Sequence, residues 1–353
     1  MVNNLTAILR SNVGKKYLLY VKERLNEALG IRAKDSDSVI RVLMMASMTN
    51  SYVEGMASLL GLCGQTIRNN LKDKDPDALL NLNDDTVKDM KKMGTLKGRL
   101  TVAVDWHDIM YYGDSHAEGV VGTKPKEGTH WAYQYGSVVV GKEKLTLAVT
   151  PIVKGESRAQ HLKRLLARAF ELGIRIKLLL LDAGYFSADI INYLQSLGLK
   201  FVMRMPNVGI ASGAGDDFMY TTRGHRRGDD EQATFRVVAL NGRNRIGHME
   251  LFIFATNTYL KPQRLRKLFR SRWGIETSYR MINKFLARTT SKLYAIRKLY
   301  FYLAVLLYNL WVKLNRSKDR VIVDMLKQSV MLSLILWFIP DMAEGDSHEM
   351  DKF

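Results

Sequence analysis

Residues 177–198 read KLLLLDAGYFSADIINYLQSLG, and the opening of that stretch decides what kind of fold this is. Four consecutive leucines, Leu178 to Leu181, show no alternation of faces, so the run suits a strand covered on both sides. It ends on Asp182. The residues that follow read as a helix, with Ser187 at its N-cap and Gly198 as its stop. A doubly covered strand running into a helix belongs in an α/β layer, where residues just past the strand ends line the functional crevice. Asp182 is therefore either a cap for the following turn or a functional carboxylate.

Working outward, LTVAVDWHDIMYYG (100–113) begins with a β-rich run that ends on a second acid, Asp105. THWAYQYGSVVVG (129–141) and EKLTLAVTPIVKG (143–155) predict two more strands about a turn near Gly141. SRAQHLKRLLARAFELG (157–173) reads as an amphipathic helix with Leu162, Leu165, Leu166, Ala169 and Phe170 on one face. KFVMRMP (200–206) is a fifth strand. Three strands, helix, strand, helix, strand is the order of a ribonuclease H-like α/β layer, an order other α/β folds share in part.

Residues 206–257 interrupt this order with Gly, Asp and Arg, then with weaker strands at FRVVALNG (235–242) and RIGHMELFIFATN (245–257). They predict a β-rich insertion with a mobile tip. From Lys261 to Arg288 the chain predicts one long basic helix. Upstream, residues 1–95 look helical and basic. Within them, Val53, Met56, Ala57 and Leu60 form an apolar stripe, Gly61 to Gly64 a turn, and Gln65, Thr66, Arg68 and Asn69 the polar side of a second helix. That outline fits a DNA-reading helix-turn-helix or an ordinary helical hairpin. Residues 72–85 read as a turn and linker. The apolar stretches 299–314 and 329–340 fall short of the ~18 uncharged residues a bilayer span needs and read as buried helices. The acidic tail, 341–353, solvates the C-terminus. Divided this way, the chain has a helical DNA-binding domain (1–95), a core (96–205), the insertion (206–257), core helices carrying a third acid (258–316) and a C-terminal region (317–353).

Charge points to a partner. Lys and Arg number 53 against 35 Asp and Glu, a net +18, which favours a polyanion, most simply nucleic acid. The lone cysteine, Cys63, excludes an intramolecular disulfide and a cysteine-built metal site. No secretion signal is legible at the start. These features lead us to expect a cytoplasmic, nucleoid-associated prokaryotic protein away from membranes.

Between Glu250 and Asp319 the only acid is Glu276, set among fourteen Lys and Arg over residues 258–316. It is either the hub of i,i+4 pairs with Arg272 and Arg280 or a metal ligand beside bound phosphates. Exposed pairs contribute only ~0.5 kcal/mol each and leave the excess charge unexplained. Two acids on neighbouring strands, Asp105 and Asp182, would repel unless a cation lay between them, and hard cations take carboxylate oxygens.

With these residues assembled, the chain resembles the insertion-sequence DDE transposases with the Tyr-Arg-Glu-Lys signature: Tyr, two residues, Arg, three residues, Glu, six residues, Lys. FRSRWGIETSYRMINK supplies Phe269, Arg272 and Glu276 at those spacings; Phe replaces Tyr, and Asn283 stands where Lys is expected, with Lys284 next. DAGYF matches the motif of the second acid, and the resemblance covers about 100–315. It implies a ribonuclease H-like core in which Asp105, Asp182 and Glu276 hold two Mg²⁺ (or Mn²⁺) ions. Those ions would activate water or a 3′-hydroxyl and stabilise the leaving oxygen of an in-line displacement. It implies phosphate contacts from Arg272, Lys284, Arg280, Arg270 and Arg288, end recognition through Arg68 and Gln65, and a homodimer on terminal inverted repeats and target DNA. Trp273 and Trp106 would stack on an unpaired base or pack in the core; His107 and Asp108 would assist the acids or stabilise a turn; His130 and His161 would be structural. A non-catalytic descendant that only binds DNA and a plain nuclease of the same fold are the alternatives.

Overall fold

The structure, a computed structural model, describes residues 13–206, 209–211, 213–222, 231–243, 246–316 and 320–345, with side chains described only to 336 in the last segment. The tip of the insertion at 223–230 and the tail from 346 onward lie outside the described residues. The chain divides into two compact units, Val87–Tyr279 and the flanking segments up to Thr86 and from Arg280.

The flanking unit is helical: α1 (Val13–Leu29), α2 (Ala33–Thr49), α3 (Val53–Leu59), α4 (Gly64–Leu71) and the start of α5 (Asp77–Lys92), then α10 (Tyr294–Leu314) and α11 (Val323–Gly345). The expected linker at 72–85 is mostly α5, because Leu79, Leu80, Leu82 and Val87 are buried and need a helix to put them there. Helix α10 is long and apolar enough by length and composition to cross a membrane, longer than its apolar stretch suggested, but it is mostly buried inside the protein. Its Leu307 carbonyl accepts from Tyr17 Oη at 2.7 Å, and Asn309 donates to Asn83 at 2.6 Å in the interior. As far as Leu336, helix α11 covers Val330 and Leu334 and exposes Leu332, Ile335 and Leu336.

The unit Val87–Tyr279 is built on one sheet, nine strands among the described residues: β1 (Arg99–Tyr111), β2 (Val121–Lys126), β3 (Thr129–Val140), β4 (Leu145–Pro151), β5 (Arg175–Leu181), β6 (Phe201–Arg204), β7 (Asp217–Thr221), β8 (Thr234–Arg243) and β9 (Met249–Thr256). Their order is β2-β3-β1-β5-β6-β9-β8-β7, with β4 also on β3. β3 runs antiparallel to β1 and β4 antiparallel to β3, while β5 and β6 run parallel to β1. This is the ribonuclease H-like α/β arrangement. The four leucines of β5 are all buried, as a central strand requires. Helix α6 (Arg158–Glu171) starts with a capping box between Ser157 and Gln160 and buries Leu162, Leu165, Leu166 and Ala169. Phe170, expected on the same face, is 36% exposed. Ser187 precedes α7 (Ala188–Ser196) but makes no cap bond; its hydroxyl is taken by Asp189. The insertion is not a separate lobe: β9 pairs antiparallel with β6, so β9, β8 and β7 extend the central sheet.

The expected long helix is two, α8 (Pro262–Arg270) and α9 (Trp273–Asn283), and the unit boundary falls inside α9. At the break, the amides of Ser271 and Arg272 bond back only three residues, to Leu268 and Phe269, at 2.9 Å each. This tightening ends α8. Helix α9 then meets the end of β3 so closely that a Cβ on Gly274 would lie 2.7 Å from the Cα of Gly141. Gly274→Ala is therefore expected to destabilise by about 1–3 kcal/mol despite alanine's better helix propensity. Gly55→Ala in α3, where a Cβ meets nothing within 4 Å, should stabilise by up to about 1 kcal/mol. Urea midpoints of the two variants moving in the same direction would refute the contact argument.

Candidate active site

Asp105 does not end its strand. β1 continues to Tyr111 along β3, and it is the parallel partner β5 that stops: Val104 and Leu181 are the last pair in register. The next residue on each strand is an acid, so Asp105 and Asp182 emerge side by side for a topological reason. Asp182 leads into a short 3-10 turn, Ala183–Tyr185, yet its side chain caps nothing. The capping explanation fails, and the carboxylate stays 45% exposed.

Glu276, in the first turn of α9, completes the group through Arg272. Arg272 Nη1 is 2.6 Å from Asp105 Oδ2; its Nη2 is 3.1 Å from Glu276 Oε1 and 4.0 Å from Asp182 Oδ2. The guanidinium sits in the α8–α9 break with its side chain only 9% exposed and its charge centre 5.5 Å from the Phe269 ring. Phe269 is itself packed on Phe254. Burial pushes the Asp105 carboxyl up to about 6; Arg272 pulls it down, Asp182 pushes it up, and the Trp106 amide, 2.9 Å from Oδ1, pulls it down.

Among the described residues, no three or more acidic, histidine or cysteine side chains are disposed to hold a metal ion. The expected three-acid metal cluster is instead three carboxylates facing one guanidinium. The donor chemistry still fits a divalent ion, since three carboxylates offer the hard oxygens such ions take.

Two clefts meet at Asp182 and Ala183. One, of about 420 Å³, is lined by Arg204, Arg243, Arg266, Arg270 and Arg272, with Phe252 between the guanidinium groups of Arg204 and Arg266 at 4.4 and 5.1 Å. Trp273 lines it too, 38% exposed beneath Arg270, so it is no core residue. The other, of about 880 Å³, holds Trp106, Asp108, His130, Trp131, Arg158 and His161. Trp106 lies between Arg158 at 4.5 Å and Tyr185 at 5.1 Å. Asp108 lies within β1 rather than at a turn, accepting from Gln134 at 2.7 Å and Thr123 at 3.0 Å. His161 is buried against Thr150 Oγ1 at 2.9 Å and burial pulls its pKa down, which fits a structural role; His130 is exposed.

The remaining expected DNA contacts belong to the other unit. Arg280 and Arg288 are exposed, and Lys284 pairs with Asp324 at 3.0 Å. Helices α3 and α4 do form the expected pair about a left-handed Gly61. Arg68, however, is turned inward on the half-buried Glu54 at 3.2 Å and onto Gln65, drawn by the carboxylate's charge. Gln65 is exposed. Sequence reasoning counted Arg266 only as one of the fourteen cations of 258–316, and missed Arg158, Arg204 and Arg243, which no local motif marks, and Tyr279, whose position one helical turn past Glu276 was a usable signal.

This sheet order, with β5 and β6 parallel to β1 and an acid within β1 beside the acid that follows β5, is that of a ribonuclease H-like domain. Residues 96–310 match the family described as Transposase DDE domain, and the chain belongs to that family. Among solved structures, the piggyBac transposase in a synaptic complex with hairpin DNA is similar at TM-score 0.60 and 11% identity, over 90% of this chain and 74% of that one. At that identity the likeness is one of fold. The Mos1 transposase, in a paired-end complex with its left transposon end, aligns at TM-score 0.20 and 12% identity over 42% of this chain and 52% of that one. No curated protein sequence matches the chain.

Proposed function

We propose that this member of the family is an insertion-sequence DNA transposase of the Tyr-Arg-Glu-Lys kind, a polynucleotidyl transferase that cuts transposon ends and joins the 3′-hydroxyl to target DNA. One observation carries the reading: Asp105, Asp182 and Glu276, distant in sequence, converge on Arg272, and Asp182 and Arg272 open onto a cleft that Arg204, Arg243, Arg266 and Arg270 also line.

Asp105, Asp182 and Glu276 are the residues that would hold Mg²⁺ or Mn²⁺. With divalent ions bound there, the site gains the charge that activates an attacking oxygen and stabilises a leaving one. Arg266 and Arg270 hold phosphates of the strand near the acids, and Arg272, whose two Nη groups face Asp105 and Glu276, turns to phosphate when an ion takes its place there. Trp273 and Trp106 offer rings to an unpaired base. Gln65, Arg280, Arg288 and Lys284 contribute to end and target binding from the other unit, and two copies hold two ends on the nucleoid. The finding that the piggyBac transposase was captured with DNA supports a DNA partner.

The test is incubation of the full chain with terminal-repeat DNA and Mg²⁺, resolving cut from joined products. Joined products are expected. Binding without cleavage would leave a non-catalytic DNA-binding protein, and hydrolysis without joining would leave a nuclease. Salt provides a second measurement. Arg270→Gln and Arg288→Gln should each flatten the slope of log affinity against log salt by ~0.9, one phosphate contact apiece. Unchanged slopes in both would remove those arginines from the DNA path.

A further inference from the structure

Tyr279 is buried, and its hydroxyl lies at a junction of the site that the acids alone do not reveal. It donates to the backbone carbonyl of Asp105 at 2.8 Å and accepts from Ser137 Oγ at 2.7 Å. Asp105 and Ser137 are direct partners across β1 and β3, so the hydroxyl fastens α9 to the very rung of the sheet that bears the first acid. Its ring stacks on His107 at 4.8 Å, two residues further along β1. Arg272, Glu276 and Tyr279 stand at i, i+4 and i+7, one face of a helix. Glu276 thus falls between two fixed points of α9: Gly274, in backbone contact with Gly141, and Tyr279, tied to Asp105 and Ser137.

We propose that Tyr279 is a positioning residue, whose hydroxyl sets the separation of Glu276 from Asp105 and thereby the capacity of the acids to hold a divalent ion. This deepens the proposed transposase reading and rests on it for its catalytic consequence. A phenylalanine keeps the ring, the stacking and the packing, and loses only the tether. Outer partners of this kind change metal affinity or activity by about 10–100-fold when removed.

The experiment compares wild type and Tyr279→Phe in two ways. Calorimetric titration with Mn²⁺, without DNA, should show affinity lowered about tenfold in the variant. Cleavage at saturating terminal-repeat DNA should slow by about tenfold or more, with DNA affinity within about twofold. Tyr300→Phe, in the other unit, removes a buried hydroxyl that has no hydrogen-bond partner among the described residues; it serves as the control and should change neither. Should Tyr279→Phe fail to fold, Ser137→Ala loosens the same tether from its other side and should lower Mn²⁺ affinity by a smaller factor. Mn²⁺ affinity unchanged in both variants, or no Mn²⁺ binding by the wild type, overturns the proposal. Weakened Mn²⁺ binding in a chain whose wild type cuts no DNA would instead leave the positioning role standing and remove the transposase reading.

Discussion

Asp182→Ala is expected to abolish cleavage of terminal-repeat DNA while leaving the fold at least as stable as before. Both halves follow from the geometry. The carboxylate caps no helix, makes no contact shorter than 4.0 Å with Arg272 and is 45% exposed, so little packing is lost with it. Its charge pushes the Asp105 carboxyl upward, and its removal relieves that repulsion. If it holds a divalent ion at the transition state, the loss is of the order of 4 kcal/mol, about a thousandfold in rate. Single-turnover cleavage, thermal unfolding and DNA binding at several salt concentrations check the three parts separately. Cleavage near the wild-type rate would dismiss Asp182 as a catalytic group. A lowered unfolding midpoint would make the loss structural rather than chemical.

The different settings of Asp182, exposed past a strand end, and Asp105, covered within one, were only half visible in the sequence. The leucine run announced a central strand and the acid that follows it, because burial and periodicity are local properties. Sequence order also gave the helix, strand and helix around β5. What it could not give was register. That Asp105 sits mid-strand, and meets Asp182 only because β5 ends beside it, depends on the pairing of Val104 with Leu181, far apart in sequence. The long helix failed for a related reason: nothing local forbids continuity from Lys261 to Arg288, and the break at Ser271 and Arg272 is stabilised by contact with the hairpin at Gly141, a tertiary feature. Likewise Arg68 looked like an outward base-reader until Glu54, fourteen residues earlier, claimed it. Glu276 was legible for the opposite reason, since a single acid in a basic segment is a compositional anomaly needing no partner to be seen.

Arg272→Ala should produce the largest loss of stability of any single substitution in the site. Its guanidinium is the counter-ion of a carboxylate, Asp105, whose side chain is only 17% exposed. Removing one partner of such a buried pair leaves an uncompensated charge, with a cost of about 3–5 kcal/mol. Asp182 and Glu276 are 45% and 44% exposed, so solvent screens most of their share, and the estimate rests on Asp105 alone. The same reasoning predicts how the defect is repaired. If the acids form a site for divalent ions, the vacated centre should take Mn²⁺ more readily in the variant than in the wild type, where Arg272 already faces all three acids. Ion at a hundred times its dissociation constant would restore about 2.7 kcal/mol. Unfolding midpoints in EDTA and in graded Mn²⁺ decide the matter. A variant as stable as wild type in EDTA would show that the pair is not the buried charge lock its geometry indicates. A destabilised variant that Mn²⁺ fails to rescue would mean that Arg272 balances the acids for stability alone. Rescue beyond that seen in the wild type would instead mean that the arginine and the ion compete for one position. DNA binding would then assist catalysis by drawing Arg272 onto phosphate and leaving the acids to the ion.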